Sequence, residues 1–170
     1  QHSLEGQVFD FGGRENLHLP LLGEHQLHNA AVALTTLDVL QKRGWNITED
    51  DIRQGLSRVM WPGRFQIIHR DPLFLIDGGH NPQCIQALAQ NIADYLPNRP
   101  LTVLTGVLGD KDYRCMYRSV ADHAVEFITV TPDNPRALTA QELAKYLASF
   151  GKPVTPCDTV ADGVRLAIDH

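Results

Sequence analysis

The chain has 170 residues, of which 43% are hydrophobic and 21% charged, and its net charge is −5. This composition is that of a globular protein and excludes collagen, low-complexity disorder and a coiled coil, while the length predicts one domain, or one domain with a piece of another. The 15 basic residues are outnumbered by 20 acidic ones and form no basic run. No nucleic-acid partner is therefore expected, and small-molecule or protein partners are favoured.

Cysteine usage and hydropathy indicate the cellular setting. Cys84, Cys115 and Cys157 are widely spaced and odd in number, which argues against a disulfide framework or a zinc knuckle and favours a reducing, cytoplasmic environment. No apolar run reaches the roughly 18 residues that a membrane span needs, so no membrane partner is expected. The chain begins with Gln1 and ends within an amphipathic pattern, and we expect it to be a fragment of a longer protein.

The first part of the chain predicts two short strands and two helices. Residues 7–21 alternate weakly around a glycine pair, which is typical of paired strands. Apolar residues then recur at helical spacing, and this helix ends in the basic, glycine-containing stretch 42–44. Thr48 and Asp51 have the spacing of a capping box at the start of a second, shorter helix.

From Arg64 onward, after the helix-breaking Trp61-Pro62-Gly63, strands and helices alternate. A strand pair is predicted over 65–76, and Asn81-Pro82 is a strong helix start. Further strands are predicted at 101–104, 127–131 and 154–156, and further helices near 113–124, 139–150 and from about 159. Four strand–helix alternations predict an α/β fold with a doubly wound, mainly parallel sheet that has helices on both faces. We place a domain boundary between residues 62 and 63.

Ligands of open parallel sheets gather where loops leave the carboxyl ends of the strands. One such loop is Asp77-Gly78-Gly79-His80-Asn81-Pro82. It combines a flexible glycine pair and a helix N-terminus, which favours anions, with the acceptor Asp77 and the titratable donor His80. These residues either bind a ligand or form an ordinary capped turn with a solvated histidine.

Two later loops of this kind each carry a cation. Lys111 lies between Asp110 and Asp112 at a helix start, where the helix dipole disfavours it, so either the two carboxylates or a bound phosphate must offset its charge. Arg136 ends the stretch Thr131-Pro132-Asp133-Asn134-Pro135-Arg136 and is suited to clamp a carboxylate with two parallel hydrogen bonds. Each loop can also be an ordinary surface turn.

A polar cluster opens the first predicted helix. His25 and Asn29 share one face of that helix, while His28 points elsewhere. The two histidines, His25 and His28, with no acid on one face make an incomplete metal shell, so no metal site is predicted. A planar polar ligand such as a nucleobase fits this cluster. Arg64, just past the predicted boundary, is the cation placed to reach a ligand between two domains.

Five segments, in this order, resemble the bifunctional folylpolyglutamate synthase/dihydrofolate synthase family of the Mur ligase superfamily. They are Gly23-Glu24-His25-Gln26 with Asn29-Ala30-Ala31, Pro62-Gly63-Arg64-Phe65, Asp77 through Pro82, Gly106 with Asp110-Lys111-Asp112, and Asn134-Pro135-Arg136. One departure is Gly79, where the family usually has alanine. The resemblance implies that residues 1–62 end a central ATP-binding domain and that residues 63–170 form a Rossmann-like C-terminal α/β domain, truncated at its end.

The activity that this resemblance implies is that of an ATP-dependent acid–amino-acid ligase. A carboxylate of a folate or of dihydropteroate is phosphorylated by ATP, and the amine of L-glutamate attacks the acyl phosphate. The same resemblance implies that Asn29 and His25 contact the adenine, that Asp77 contacts the ribose and that Arg64 contacts the phosphates.

The resemblance also assigns residues to the reacting substrates. His80 would lie near the reacting centre or the incoming glutamate, Lys111 belongs to the catalytic cleft, and Arg136 is a candidate for a substrate carboxylate. Because the sequence contains no G-x-x-x-x-G-K-[ST], the phosphates and Mg²⁺ are expected to bind mainly to a P-loop domain against which this chain packs. We expect a cytoplasmic monomer that is inactive as an isolated chain.

Two other functions stay open at this point. Some Mur-type cell-wall peptide ligases carry a stretch like Asp133-Asn134-Pro135-Arg136, although the segments around His25 and Asp77 favour the folate branch. A non-catalytic ligand-binding α/β module is favoured by the missing P-loop.

Overall fold

The computed structural model describes residues 1–169, and backbone contacts divide the chain into two compact units, Gln1–Gly78 and the chain from Gly79 onward. The first unit contains β1 (His2–Ser3), β2 (Gly6–Phe11), β3 (Arg14–Leu19), α1 (Glu24–Lys42), α2 (Glu49–Ser57), β4 (Gln66–Arg70) and β5 (Leu73–Ile76). The second contains α3 (Pro82–Tyr95), β6 (Leu101–Thr105), α4 (Tyr113–Ala121), β7 (Ala124–Thr129), α5 (Ala140–Leu147), β8 (Val154–Pro156) and α6 (Val160–Asp169). The domain boundary between residues 62 and 63 stays a prediction.

The core of the first unit lies between a small antiparallel sheet and two helices. Strands β1, β2 and β3 pair in that order, and Leu17 of β3 packs with Leu34 of α1 and Ile52 of α2. Arg14 joins the same three elements at the surface, since its guanidinium lies 2.8 Å from both Asp38 of α1 and Glu49 of α2. Helix α1, which carries the candidate residues His25 and Asn29, is thus held by apolar packing and by ion pairs.

The second unit is built on a parallel sheet in the order β6-β7-β8. Successive side chains of a strand face opposite sides, and Val103 and Phe127 pack into the cluster formed with α3, α4 and α5. Their neighbours Leu104 and Ile128 face α6, where Gly163 approaches them closely. Helices therefore cover both faces, and the predicted doubly wound α/β fold is confirmed.

The predicted strand pair over 65–76 is a hairpin of β4 and β5. The alternation of strands and helices predicts β5 as a strand of the parallel sheet. Among residues 1–169, however, β5 pairs with β4, and the two strands are antiparallel. The connection from Arg70 to Leu73 is too short for a crossover, and a short connection joins antiparallel strands. The parallel sheet of the described chain therefore has three strands.

Three predicted helix starts are confirmed at the level of single hydrogen bonds. Thr48 and Thr139 form reciprocal capping boxes with Asp51 and Glu142, and the Asn81 side chain accepts from the Cys84 amide at 2.8 Å. Such caps satisfy amide groups that a helix leaves unpaired at its first turn. In the described part of the chain, every helix is too short or too polar to cross a membrane.

Candidate functional site

A buried glutamine anchors the start of α1, on which two candidate residues lie. Gly23 is the N-cap, with φ of 104°, and its residue type supplies no side-chain cap. Gln7 of β2, 3% exposed, donates from Nε2 to the carbonyls of Leu21 at 2.7 Å and of Gly23 at 3.0 Å. The turn that leads into α1 is thereby fixed to the sheet, and so is the first helical turn that carries His25.

His25 is half-buried among charged groups of the first unit. Burial lowers the pKa of His25 below its usual value of 6.5, the negative charge of Asp77 opposes this shift, and the positive charges of Arg64 and His28 add to it. The imidazole is therefore neutral at neutral pH, with one nitrogen that donates and one that accepts. The structure brings together three residues that the sequence singled out separately: His25, Arg64 and Asp77.

Asn29 lies one turn further along α1 and is solvent-exposed. Its Nδ2 donates to Oε1 of Gln26 at 3.2 Å, and Gln26 is a buried side chain. The amide of Asn29 is thus held from the protein side while its outer edge stays accessible. This arrangement suits a planar ligand with both donors and acceptors.

Arg64 occupies a tight turn that the end of β5 holds in place. Gly63 has φ of 75° and the buried Phe65 has φ of 42°, a region that costs energy for a residue with a side chain. The Phe65 amide donates to Oδ2 of Asp77 at 2.8 Å, and the Gly78 amide donates to the Gly63 carbonyl at 2.7 Å. The carboxylate predicted to contact a ribose thus also positions the backbone beside Arg64.

In the second unit, His80 directly precedes the N-cap of α3. Asn81 caps this helix and Pro82 is its first residue, so the amide groups of the first turn are oriented toward the N-terminal end. A helix N-terminus carries partial positive charge, which favours an anionic ligand beside it. His80 is exposed at that end.

The loops that follow β6 and β7 are joined to each other. Leu108 and Ala137 form an isolated antiparallel bridge, and the Gly109 amide donates to the Arg136 carbonyl at 2.8 Å. At Gly106 a Cβ would lie 2.8 Å from the carbonyl oxygen of Val130, so only glycine permits the close approach. Lys111 and Arg136, far apart in sequence, therefore belong to one loop pair.

The acidic neighbours of Lys111 have other partners. Asp110 binds Arg136, with 2.7 Å between Oδ2 and the guanidinium, and Asp112 caps α4 by accepting from the Cys115 amide at 3.2 Å. The ion pairs found within residues 1–169 do not include the Lys111 ammonium.

Among residues 1–169, no group of three or more histidine, cysteine, aspartate or glutamate side chains lies in an arrangement that could hold a metal ion.

The sequence predicts no role for Gln7 and Gln26, and it does not predict that Asp110 pairs with Arg136. A signal for Gln7 was present, because it shares its strand face with Phe9 and Phe11, which pack on the core, and a polar residue in an apolar row must have a buried partner. Gln26 and Asp110 carry no comparable signal, since their partners are set by side-chain geometry alone.

Comparison with known proteins identifies the family of the chain and several relatives. The sequence pattern of the family described as "Mur ligase, glutamate ligase domain" matches residues 63–170. The folylpolyglutamate synthase of Lacticaseibacillus casei is 39% identical over 139 residues, which cover 78% of this chain and 32% of that protein.

Two solved structures have a similar fold. The Mycobacterium tuberculosis folylpolyglutamate synthase complexed with ADP has a TM-score of 0.83 and 31% identity, over 91% of this chain and 35% of that one. The Escherichia coli FolC in complex with DHPP and ADP has a TM-score of 0.78 and 29% identity, over 92% of this chain and 35% of that one. This chain spans about a third of the length of these relatives. Because the family pattern covers well over half of the chain, the chain belongs to the Mur ligase family and carries its glutamate ligase domain.

Proposed function

We propose that this chain is the part of an ATP-dependent ligase that binds adenine nucleotide and L-glutamate, and that the complete enzyme adds glutamate to a folate or to dihydropteroate. The observation that carries the proposal is the grouping of a neutral, half-buried His25 with Arg64 and Asp77 in the first unit. The relatives named above support it, since one is described as complexed with ADP and another with DHPP and ADP.

The nucleotide would be bound by groups of complementary character. Asn29 and the neutral imidazole of His25 would contact the uncharged adenine, and the Asp77 carboxylate would accept from the ribose hydroxyls. Arg64 would face the phosphates, where a guanidinium stabilises the charge that builds up during phosphoryl transfer.

The reaction would proceed in two balanced steps. A carboxylate oxygen of the acceptor attacks the γ-phosphorus of ATP, and ADP leaves. The amine of L-glutamate then attacks the carbonyl carbon of the acyl phosphate, phosphate leaves with the bonding electron pair, and the amine loses a proton. His80 would lie near this centre, where an imidazole is suited to accept that proton.

Lys111 and Arg136 would act from the loop pair of the second unit. Lys111 would stabilise the negative charge of the reacting phosphoryl or acyl phosphate group, and Arg136 would hold a substrate carboxylate in place of Asp110. Arg136 makes one contact with Asp110, and a substrate carboxylate bound through two parallel hydrogen bonds would replace this contact and add a second one.

The phosphate cradle and the site for Mg²⁺ would lie in a P-loop domain outside this sequence, against which the chain packs. We therefore expect the 170-residue chain to bind adenine nucleotide weakly and to be catalytically inactive alone, as a monomer in the cytoplasm. ATP-dependent addition of glutamate to a folate by the isolated chain would contradict this, and gel filtration tests the monomer.

A chimaera tests the activity itself. In it, this chain replaces the matching part of the Lacticaseibacillus casei folylpolyglutamate synthase, and formation of folylpolyglutamate from ATP, L-glutamate and a folate is followed by chromatography. We expect activity that depends on both ATP and glutamate. A folded chimaera that binds ATP but transfers no glutamate would contradict the proposal and favour a non-catalytic binding module.

A further inference from the structure

A series of hydrogen bonds links the sheet of the first unit to Asn29. The Gly23 carbonyl accepts from Gln7 Nε2 at 3.0 Å and also from the Gln26 amide at 3.0 Å. The Gln26 side chain, 8% exposed, in turn accepts from Asn29 Nδ2 at 3.2 Å. Gln7 and the Gln26 backbone amide therefore share the Gly23 carbonyl as acceptor, and the side-chain oxygen of Gln26 lies beside the amide nitrogen of Asn29.

This contact determines which way the Asn29 amide is turned. A carboxamide has one oxygen that accepts and one nitrogen that donates two hydrogens. Because one hydrogen of Nδ2 is donated to Gln26, the oxygen Oδ1 and the second hydrogen form the outer edge. As long as Gln26 presents Oε1, rotation of the Asn29 amide by half a turn would place Oδ1 against that oxygen, two acceptors in contact, and is disfavoured.

The outer edge of an amide held in this way is complementary to adenine. Adenine presents an N6 amino donor beside the acceptor N7, which asparagine recognises with two hydrogen bonds, whereas guanine presents two acceptors, O6 and N7. Guanine would set its O6 against Oδ1 of Asn29. Guanine therefore loses the hydrogen bond that adenine makes to Oδ1 and places two acceptors in contact, which disfavours its binding.

We propose that Gln26 is a positioning residue that makes the nucleotide site selective for adenine over guanine by holding the Asn29 amide in one orientation. The inference rests on the proposed function, which places the base against Asn29. Gln26 itself touches no nucleotide and acts through Asn29.

The test uses the ¹⁵N-labelled 170-residue chain and follows the amide resonances of the first turns of α1 during titration with ADP or GDP. We expect the wild-type chain to bind ADP at least about tenfold more tightly than GDP, the size of discrimination that one two-bond contact provides. In Gln26→Met, which keeps the side-chain volume but removes the acceptor, the ADP to GDP ratio should fall to within about threefold of unity, as expected once that contact is lost. Gln26→Glu keeps an acceptor oxygen and should restore the preference.

Gln41→Met is the matched control, because Gln41 Nε2 donates to the Ile47 carbonyl at 2.6 Å at the opposite end of the same helix. Gln41→Met should alter stability without altering the ratio of the ADP and GDP affinities. The ratio of the ADP and GDP affinities distinguishes a positioning role from a folding defect, because partial unfolding weakens the binding of both nucleotides equally.

The outcomes separate the two proposals. If ADP shifts no resonance near His25 and Asn29, the proposed nucleotide site is wrong, and this inference with it. If Asn29→Ala abolishes ADP binding while Gln26→Met keeps the wild-type ratio, the site stands and the role of Gln26 is overturned. Equal affinity of the wild-type chain for ADP and GDP overturns the inference without any variant, even if Gln26→Met fails to fold.

Discussion

The Asp77 carboxylate accepts a hydrogen bond from the backbone amide of Phe65, with 2.8 Å between Oδ2 and the amide nitrogen. Phe65 is buried and has φ of 42°, so this bond stabilises a backbone conformation that is otherwise unfavourable. Asp77 therefore has a structural task in the turn around Arg64 in addition to the proposed contact with a ribose.

Substitutions of Asp77 separate these two tasks. In Asp77→Ala the Phe65 amide loses its partner, and we expect a loss of about 1–2 kcal/mol in the free energy of unfolding. In the chimaera, Asp77→Ala should lower ATP-dependent turnover by about tenfold or more, because a charge-assisted hydrogen bond to the nucleotide is lost. Asp77→Asn keeps an oxygen for the Phe65 amide and should retain stability while nucleotide affinity falls. Urea denaturation and kinetics measure the two effects, and normal kinetics in Asp77→Ala would refute the assigned role.

Arg64→Ala should lower turnover of the chimaera by about tenfold or more, because a cation facing the phosphates is lost. It should also raise the pKa of His25, since the positive charge of Arg64 disfavours the imidazolium. Arg58→Ala, at an exposed arginine just after α2, is the control and should change neither quantity. A melting temperature that falls sharply in Arg64→Ala would indicate a structural role instead.

Stability of the isolated chain should depend on pH through His25. Because the pKa of His25 is lowered in the folded state, the unfolded chain binds more protons as the pH falls below about 6.5, the usual histidine value. Stability therefore decreases as the pH falls from that value to the lowered pKa, and the decrease ends below it. His25→Gln should reduce the slope of the free energy of unfolding against pH between these values, as measured by chemical denaturation. The exposed His18 of β3 provides the comparison, and an identical slope in His18→Gln and His25→Gln would contradict the assignment.

Gly106→Ala should destabilise the second unit, since the new Cβ would lie 2.8 Å from the Val130 carbonyl oxygen and 2.9 Å from the ring of Pro132. Overpacking of this kind costs about 1–3 kcal/mol. Gly109→Ala, whose Cβ would be 3.5 Å from the nearest atom, the Arg136 carbonyl oxygen, should be tolerated. Urea denaturation compares the two, and equal stabilities would show that the two loops separate freely.

Substitution of Asp110 and substitution of Arg136, the two partners of an ion pair, should change the KM for glutamate in opposite directions. Asp110→Asn should change stability by less than about 1 kcal/mol, because the pair is solvent-exposed. If Arg136 binds a substrate carboxylate, Asp110→Asn removes a competitor and should lower the KM for glutamate in the chimaera, whereas Arg136→Gln should raise it. Unchanged KM values in both variants would remove Arg136 from the substrate site.

What could be predicted from the sequence depended on how local the determining interactions are. The capping residues Thr48, Asn81 and Thr139 were predicted because each cap joins groups within one helical turn. The α/β fold followed from the order of strands and helices, since parallel strands need crossover helices.

Interactions between distant segments were not predictable in the same way. The bonds from Arg136 to Asp110 and from Phe65 to Asp77 join residues 26 and 12 positions apart. Whether the two partners meet depends on how the loops leave the packed strands. The buried amide of Gln7 is intermediate, because its position on an apolar strand face is visible in the sequence but its acceptors, Leu21 and Gly23, are not.

The hairpin β4–β5 is closed at its base by the bonds from Gly78 to Gly63 and from Phe65 to Asp77. The tip of the hairpin, near Pro72, lies at the opposite end of the β4–β5 ladder from this closure. The tip can therefore gain or lose residues in evolution while Arg64 and Asp77 keep their places. For the same reason it is the position at which a fluorescent reporter can be attached with least disturbance to the nucleotide site.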